Sequence, residues 1–420
     1  MTYRITNTAL DQIVTFQTEK VFSNKDPKMP YIGLEHMAQG GSRLLGLGES
    51  SSSISVNSIF RQNDILFGKL RPNLKKSTKA PFAGYCSTDI LVLRTLDGVL
   101  PSFAAYIFQW ERVFAAAVAT AVGTKMPRTS WNDLKRFKVF MPDSSEEQTS
   151  IVYILDTIDG AIAKTEAVIA KLKQVRAGLL HDLLHYGLDE NGRLRDPIAH
   201  PEQFKDSPLG RIPVDWNFGL LSQFVPSAEY GISTSLGDRG YSVLRMNNLS
   251  EGEAELSDLK YSAMPIPDGL WLRSGDVLFN RTNSWEHVGR TGIWRGQIER
   301  ATFASYLVRL NPRPDLLNAE LLNFWLNWPP IQIAMRRFAT PAVQQVNINP
   351  TNLRQMLAAF PQNLKEQSEI VERIGQQDNT LRTEISELAK LKNIKSGLQD
   401  DLLTGRVRVP ETLMEGVVGV

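Results

Sequence analysis

The stretch KLKQVRAGLLHDLL, from Lys171 to Leu184, returns near the end of the chain as KLKNIKSGLQDDLL, from Lys390 to Leu403. The two copies are 390 − 171 = 219 positions apart, and the same offset relates residues 142–184 to residues 361–403 without a gap. A repeat of this length indicates two copies of a whole module, because solenoid repeats are much shorter. The sequence therefore predicts a pseudo-two-fold internal repeat.

Each copy predicts one long helix. A capping box is expected at its start, formed by Ser144 with Glu147 in the first copy and by Asn363 with Glu366 in the second. Apolar residues then recur at alternating steps of three and four, which is the heptad spacing of a coiled coil. The residues expected to pack along this seam are Leu155, Ile158, Ile162, Ile169, Leu172, Leu179, Ile374, Leu381, Leu388, Leu391 and Leu398.

Two arrangements of these helices are open at this point. They either pack on each other, as a rod of roughly 55 to 60 Å at 1.5 Å per residue, or each packs separately on an unrelated core. Arg176 matches Lys395 at a seam position, and matching polar interruptions usually set the register of a coiled coil. Gly178 matches Gly397, and a helical glycine costs about 1 kcal/mol relative to alanine. The pair therefore predicts a close approach of two backbones, with retention from a duplicated ancestor as the alternative.

The blocks before each helix share a weaker pattern. NDILFGKLRP from Asn63 aligns with GDVLFNRTNS from Gly275 at an offset of 275 − 63 = 212, and STDILVLR from Ser87 parallels ASYLVRL from Ala304. Short β-rich runs broken by Gly, Pro, Asn and Ser, with one or two helices, favour an α+β fold. The first block lacks the IPxxW motif that ends at Trp216, so its first strand is expected to be built differently.

Composition excludes several classes of protein. One cysteine and five histidines, without a CxxC pair or an HExxH motif, argue against a disulfide framework and against zinc chemistry. The apolar stretch Val99 to Val122 is interrupted by polar residues and predicts a buried or amphipathic helix rather than a membrane span. The N-terminus lacks the pattern of a signal peptide. A cytoplasmic protein is therefore expected.

The net charge of +2 does not by itself indicate a nucleic-acid partner, but the positions of the cations do. In the first block, cations concentrate in two clusters with Thr, Asn and Ser between them, which suits a phosphate backbone. The candidate DNA-binding residues there are Lys69, Arg71, Lys75, Lys76, Lys79, Lys125 and Arg128. A solvated charged surface is the alternative for any single cluster.

The second block offers counterparts rich in amides. Arginine pairs with guanine, and asparagine or glutamine with adenine, through two hydrogen bonds to base edges in the major groove. The candidates are Arg281, Asn283, Trp285, Arg290, Gln344, Gln345, Asn347 and Asn349. A loop of this composition is also typical of turns, but clusters at matching places in both blocks favour DNA.

Catalytic motifs are missing from the sequence. There is no Walker loop, no GxSxG, and no Asn-Pro-Pro-aromatic or Asp-Pro-Pro-aromatic tetrapeptide of the kind that amino-methyltransferases use. The chain is therefore expected to perform no chemistry.

The layout resembles the specificity subunit of Type I restriction-modification systems. The phrases that carry the resemblance are EEQTSIV, EAVIAKLKQVRAGLLHDLLHYGLDENGRLRDP, KDSPLGRIPVDW and LKNIKSGLQDDLLTGRVRV. The resemblance implies an α+β chain in which two α/β target recognition domains, each for one half of a split DNA sequence, are joined by two long antiparallel coiled-coil helices. The expected order is domain 1 (residues 1–141), spacer helix 1 (142–186), connector (187–212), domain 2 (213–360), spacer helix 2 (361–405) and a tail (406–420).

The resemblance also implies partners. Two methyltransferase subunits would bring S-adenosylmethionine and dock on the helices, and a separate subunit driven by ATP and magnesium would cut DNA, so that this chain itself holds no cofactor or metal. A coiled-coil adaptor that binds proteins and not DNA remains one alternative, and a self-sufficient nuclease or methyltransferase is another. If the helices act as a spacer, a heptad inserted into both should change the preferred gap between half-sites and leave the half-sites unaltered.

Overall fold

The computed structural model describes residues 7–22, 28–41, 43–49, 56–142, 144–342, 345–412 and 414. The helices, in chain order, are α1 (Pro101–Gln109), α2 (Glu111–Ala119), α3 (Trp131–Leu134), α4 (Ser145–His185), α5 (Leu221–Phe224), α6 (Ala319–Asn327), α7 (Pro329–Met335), α8 (Pro350–Leu353) and α9 (Leu364–Leu403). The repeated sequence thus forms α4 and α9, of 41 and 40 residues. Within the described ranges, no helix combines the length and apolar character that crossing a bilayer requires.

The chain divides into two compact units. Unit 1 comprises residues 1–168 and 384–420, and unit 2 comprises residues 169–383. The division passes through both long helices. Each unit therefore contains the first part of one long helix and the last part of the other.

Unit 1 is built on two sheets and a two-stranded ribbon. Its strands are β1 (Asn7–Ala9), β2 (Val14–Gln17), β3 (Lys20–Phe22), β4 (Pro30–Ile32), β5 (Gly48–Glu49), β6 (Val56–Phe60), β7 (Ile65–Gly68), β8 (Ser77–Lys79), β9 (Gly84–Cys86), β10 (Ile90–Thr95) and β11 (Lys138–Phe140). The sheet orders are β2-β10-β7-β8 and β3-β6-β9-β4-β5, and β1 pairs with β11.

Unit 2 has a larger set of strands. They are β12 (Phe204–Ser207), β13 (Gly210–Pro213), β14 (Trp216–Leu220), β15 (Ser227–Tyr230), β16 (Tyr241–Leu244), β17 (Leu249–Ser250), β18 (Gly252–Ala254), β19 (Lys260–Ser262), β20 (Val277–Asn280), β21 (Thr282–Asn283), β22 (Thr291–Ile293), β23 (Ala301–Phe303), β24 (Leu307–Asn311), β25 (Ala339–Ala342), β26 (Gln345–Ile348) and β27 (Leu357–Pro361). The sheet orders are β15-β24-β20-β22-β18-β17, β19-β16-β23 and β21-β26-β25, with β14 paired to β27 and β12 to β13.

The central sheets of the two units correspond. The order β2-β10-β7-β8 in unit 1 matches β15-β24-β20-β22 in unit 2, and the aligned Leu-Phe pairs lie fully buried on β7 and β20. Asp64 accepts the backbone N–H of Arg61 at 2.7 Å, and Asp276 accepts that of Arg273 at 2.9 Å. The same turn therefore leads into both strands, as the alignment at Asn63 and Gly275 predicts.

The prediction that the first strand of block 1 is built differently is wrong. β1 pairs antiparallel with β11 just before α4, and β14 pairs antiparallel with β27 just before α9. The pairing is set by the strand that leads into each long helix and does not require the IPxxW motif. Residues 1–6 lie outside the described part of the chain.

The apolar stretch from Val99 to Val122 folds as two helices rather than one. α1 ends at Gln109 and α2 begins at Glu111, with buried Trp110 between them. Both helices pack into the apolar core of unit 1 together with Leu155 of α4 and Leu402 of α9. In unit 2 the corresponding core contains Leu183 of α4 and Ile374 of α9. The long helices are thus anchored at both ends in domain cores.

The predicted seam residues face inward between these ends. Leu155, Ile169 and Ile374 are buried. The other apolar seam residues are partly buried, namely Ile158, Ile162, Leu172, Leu179, Leu381, Leu388, Leu391 and Leu398. α4 and α9 pack together, and the early part of each lies against the late part of the other, so the pair is antiparallel.

The polar interruptions form matching ion pairs across the seam. In unit 1, Lys395 Nζ lies 2.6 Å from Asp159 Oδ1. In unit 2, Arg176 Nη2 donates to Asp378 Oδ2 at 3.0 Å. The pairs are related by the repeat, since 378 − 159 = 219 and 395 − 176 = 219. Polar residues at seam positions favour one register because any other register leaves them unpaired.

The close backbone approach predicted at Gly178 and Gly397 is wrong. Both glycines are exposed, and a Cβ added to either would meet no atom within 4 Å among the described residues. They lie on the outer face of the helix pair, where no contact with a described residue requires a glycine.

The capping prediction is correct for the capping residues and wrong for the glutamates. Ser144 Oγ accepts the backbone N–H of Glu147 at 3.1 Å, and Asn363 Oδ1 accepts that of Lys365 at 2.9 Å. The carboxylates of Glu147 and Glu366 do not return to the caps but bind arginines distant in sequence.

Candidate nucleic-acid interface

The two cationic clusters of unit 1 lie side by side. Val122 and Arg128 exchange two backbone hydrogen bonds, of 2.9 and 3.0 Å, and so close a hairpin. The hairpin pairs with the segment after β7, because Arg71 N donates to Pro127 O at 2.7 Å and Thr129 N to Lys69 O at 3.1 Å. We call residues 69–71 and 122–128 hairpin surface 1.

Two arginines of hairpin surface 1 hold the hairpin in place. Arg128 donates to both carboxylate oxygens of Asp89, at 2.8 and 3.1 Å, and this hydrogen bonding raises the pKa of Arg128. Arg71 Nη2 donates to Lys125 O at 3.3 Å. The ammonium groups of Lys69 and Lys125 make no ion pair with any described residue. These two lysines are therefore the cations that remain for an external anion.

The other predicted cations of block 1 are engaged inside unit 1. Lys75 forms an ion pair with Glu111 at 2.8 Å. Lys76 Nζ donates to Leu34 O and Lys79 Nζ to Ser102 Oγ, each at 2.6 Å. These three lysines belong to the same charged segment of the sequence as Lys69 and Arg71, but their ammonium groups bind other parts of unit 1 and are not part of hairpin surface 1.

Unit 2 repeats the backbone arrangement. β25 and β26 form a hairpin, and β26 pairs with β21 through Thr282 with Asn347 and Asn283 with Val346. In unit 1 the isolated bridge between Leu70 and Arg128 occupies the same place, since 70 + 212 = 282 and 128 + 219 = 347. We call residues 281–283, 339–342 and 345–347 hairpin surface 2.

The side chains of hairpin surface 2 differ from those of surface 1. The guanidinium of Arg281 lies over the ring of Tyr230 at 5.2 Å, and its Nη1 donates to Ser305 O at 3.4 Å. Asn347 is partly buried, and its Oδ1 has no hydrogen-bond partner among the described residues. Asn283 Oδ1 accepts the N–H of Ser284 at 2.8 Å. Gln345 is partly buried on β26, and Gln344 lies outside the described residues.

Three other candidates of block 2 lie away from this surface or have another role. Asn349 Oδ1 accepts the N–H of Thr351 at 2.9 Å and so caps α8, which is the turn alternative. Trp285 is exposed and stacks with the guanidinium of Arg336 at 5.9 Å. Arg290 is exposed and borders a cavity of about 220 Å³ beside Arg176 of α4.

Two junctions that the sequence did not predict join the long helices to the domains. Buried Glu366, near the start of α9, accepts from Arg195 Nη1 at 2.7 Å and from Leu188 N at 2.9 Å. Trp216 Nε1 donates to the same carboxylate at 3.2 Å. At the start of α4, buried Glu147 accepts from Arg408 at 2.7 and 2.5 Å.

The adjacent glutamines complete the junctions. Gln148 accepts from Leu100 N at 2.9 Å and donates to Gly98 O at 3.0 Å. Gln367 likewise accepts from Asn318 N at 2.7 Å and donates to the carbonyl of Leu316 at 2.8 Å. The available signal was a second repeat, GRLR at residues 192–195 and GRVR at 405–408, whose last arginine reaches the buried glutamate.

Among the described residues, no group of three His, Cys, Asp or Glu side chains is placed to hold a metal ion.

Comparison with known proteins points to one family. Residues 6–174 match the model described as the Type I restriction modification DNA specificity domain. Two Methanocaldococcus jannaschii proteins are similar. One, named as the MjaX specificity subunit of a type I restriction enzyme, is 26% identical over 223 residues, 52% of each chain. The other, the type I restriction enzyme MjaVIII specificity subunit, is 24% identical over 294 residues, 68% of this chain and 66% of that protein. The chain thus spans about half to two thirds of the length of these curated relatives.

Solved structures share the fold over nearly the whole chain. A chain from a study of complex assembly and conformational transition of the type I R-M system is 18% identical, with a TM-score of 0.61, and the match covers 96% of this chain and all of that one. The type I restriction-modification S subunit from M. genitalium is 14% identical, with a TM-score of 0.56 and 96% of each chain covered.

Proposed function

Because residues 6–174 match the Type I restriction modification DNA specificity domain and the chain is similar to two curated specificity subunits, we propose that it is a specificity subunit of this kind and recognises a bipartite DNA target, with one half-site bound by each unit. The observation that carries the proposal is the pair of hairpin surfaces. In each unit, two segments that are distant in sequence are brought together by the same backbone pairing. Both surfaces carry cationic or amide side chains that suit DNA.

The two surfaces use different chemistry toward DNA. On hairpin surface 1, Lys69 and Lys125 offer ammonium groups for phosphate oxygens. On hairpin surface 2, the Oδ1 of Asn347 is buried without a hydrogen-bond partner among the described residues. Once turned toward solvent, its amide group suits the two hydrogen bonds that adenine presents in the major groove. Different side chains on one backbone arrangement are what two different half-sites require.

We propose that the helix pair sets the gap between the half-sites and provides the docking surface for two methyltransferase subunits. In this scheme the chain contributes no catalytic step. S-adenosylmethionine belongs to the methyltransferase subunits, and ATP with magnesium belongs to restriction subunits, where these are present. The similarity to a chain from a type I R-M assembly supports membership of such a complex.

The proposal is tested by the salt dependence of DNA binding. Each phosphate contact contributes about 0.9 to the slope of log K against log salt. The double variant Lys69→Ala with Lys125→Ala should therefore bind all duplexes more weakly, with a slope smaller by about two.

The matched control is Lys164→Ala with Lys173→Ala, which removes two exposed lysines from α4. This control should leave the slope unchanged. Binding of the unaltered chain to its partners but not to DNA, at any salt concentration, would favour the adaptor alternative and contradict the proposal.

A further inference from the structure

Hairpin surface 1 exposes two large apolar side chains among its cations. Val122 is 80% and Met126 49% exposed. They lie on either side of Lys125 in sequence, and Pro127 follows. Burying such groups gains roughly 25 cal/mol per Å² of apolar surface, and their place beside two ammonium groups without an ion pair suits a ligand that is both anionic and apolar.

The backbone around these side chains is held firmly. Val122 and Arg128 close the hairpin with two hydrogen bonds, and the Arg128 guanidinium is fixed by Asp89 and also donates to Met126 O at 3.4 Å. Arg71 Nη2 binds the carbonyl of Lys125. A hairpin fixed in this way loses little conformational entropy when it binds.

The supporting segment is strained. Arg71 and Lys75, which flank the turn at 72–74, both have a φ of 51°, a left-handed conformation that is costly for residues other than glycine. Such strain persists where surrounding contacts enforce it, and it clusters at ligand-binding sites.

We propose that Val122 and Met126 form an apolar wedge that enters between two base pairs of the half-site bound by unit 1 and unstacks them. This inference rests on the proposed function and deepens it. Proteins that kink DNA from the minor groove insert Met, Leu, Ile, Phe or Pro side chains between base steps, with cations on the adjacent phosphates. The wedge therefore places hairpin surface 1 at the minor groove of its half-site, whereas hairpin surface 2 is proposed to read the major groove of the other. Lys69 and Lys125 supply those cations here.

The wedge is specific to unit 1. The positions on hairpin surface 2 that match Val122 and Met126 are Thr340 and Gln345, by the bridge pattern and the 219 offset. Both are polar. Unit 2 is therefore expected to bind its half-site without unstacking a base step.

The test uses the full chain and the duplex that it selects from a random library, with 2-aminopurine placed at successive positions. The fluorescence of 2-aminopurine rises when a neighbouring base is unstacked. The unaltered chain should raise it at one step in the unit 1 half-site and at none in the unit 2 half-site. Val122→Ser with Met126→Ser should abolish the rise and weaken binding by roughly tenfold, because the apolar contacts are lost.

The matched control is Val168→Ser with Met264→Ser, which removes the same two side-chain types from exposed positions outside both hairpin surfaces. It should keep the rise and the affinity, and thermal melts should match for both double variants. Binding without a rise at any step contradicts the wedge alone. A fluorescence rise that persists in the double variant Val122→Ser with Met126→Ser also contradicts the wedge. The wedge is contradicted as well if no base step is unstacked but replacing thymine by uracil lowers the affinity. If the unaltered chain binds no duplex, the proposed function fails as well.

Discussion

The junctions and the hairpin surfaces are both duplicated, but they have diverged to very different degrees. At the junctions, the Glu-Gln pair at the start of each long helix and the arginine that meets it are the same residues in both copies. At the hairpin surfaces, only the backbone pairing is shared: unit 1 carries cations and apolar side chains at positions where unit 2 carries amides. The comparison indicates that the junctions tolerate little change in sequence, whereas the side chains of the hairpin surfaces can change to recognise new DNA targets.

The largest expected effect is at the junction of unit 2. Glu366→Ala removes the buried partner of the Arg195 guanidinium, which is only 5% exposed and keeps the half-exposed Asp215 as its remaining carboxylate. Breaking a buried pair typically costs about 3 to 5 kcal/mol, and the loss here should lie near the lower end of that range because Asp215 remains. Glu147→Ala should cost less, because the side chain of Arg408 is 24% exposed and gains water in compensation. Urea unfolding of both variants checks the order. If both variants lose little free energy of unfolding, and by the same amount, the junctions do not stabilise the attachment of the long helices to the domains.

The next effect concerns the ion pairs across the seam. Asp378→Arg places two cations together on the unit 2 part of the helix pair and should destabilise it by about 1 to 3 kcal/mol. Adding Arg176→Asp reverses the pair and should restore most of the loss. A double-mutant cycle from thermal melts measures the coupling. The same cycle at Asp159 and Lys395 should give a coupling energy of the same sign. If neither pair shows a coupling energy, these ion pairs do not determine the register of the helix pair.

The smallest expected effect is a gain. Gly178→Ala and Gly397→Ala should each raise the free energy of unfolding by up to about 1 kcal/mol, because alanine is the better helix former and its Cβ would meet no atom within 4 Å among the residues that the structure describes. Differential scanning calorimetry of the single variants is sensitive enough. A loss of stability at either position would restore the close backbone approach that the sequence suggests.

The long helices were predictable because a repeat and a heptad seam are local patterns. The glutamates of the junctions were misassigned to capping boxes, since their true partners lie 171 and 261 residues away and only the fold brings them together. The cationic clusters of block 1 were found from charge alone. However, a cluster of charges in the sequence does not show which way each side chain points. Lys79, for example, donates to Ser102 on α1 instead of facing the hairpin. The pairing of Lys69 with Thr129 depends on sheet register, which composition does not encode.

The most direct test of the account is selection of binding sites from a random duplex library by the full chain and by Asn347→Ala. The unaltered chain should recover two short conserved blocks with a fixed gap. Asn347→Ala should relax bases in one block, by about 1 to 3 kcal/mol at the affected position, and leave the other block and the gap unchanged. Relaxation of both blocks, or of neither, would contradict the assignment of one half-site to each hairpin surface.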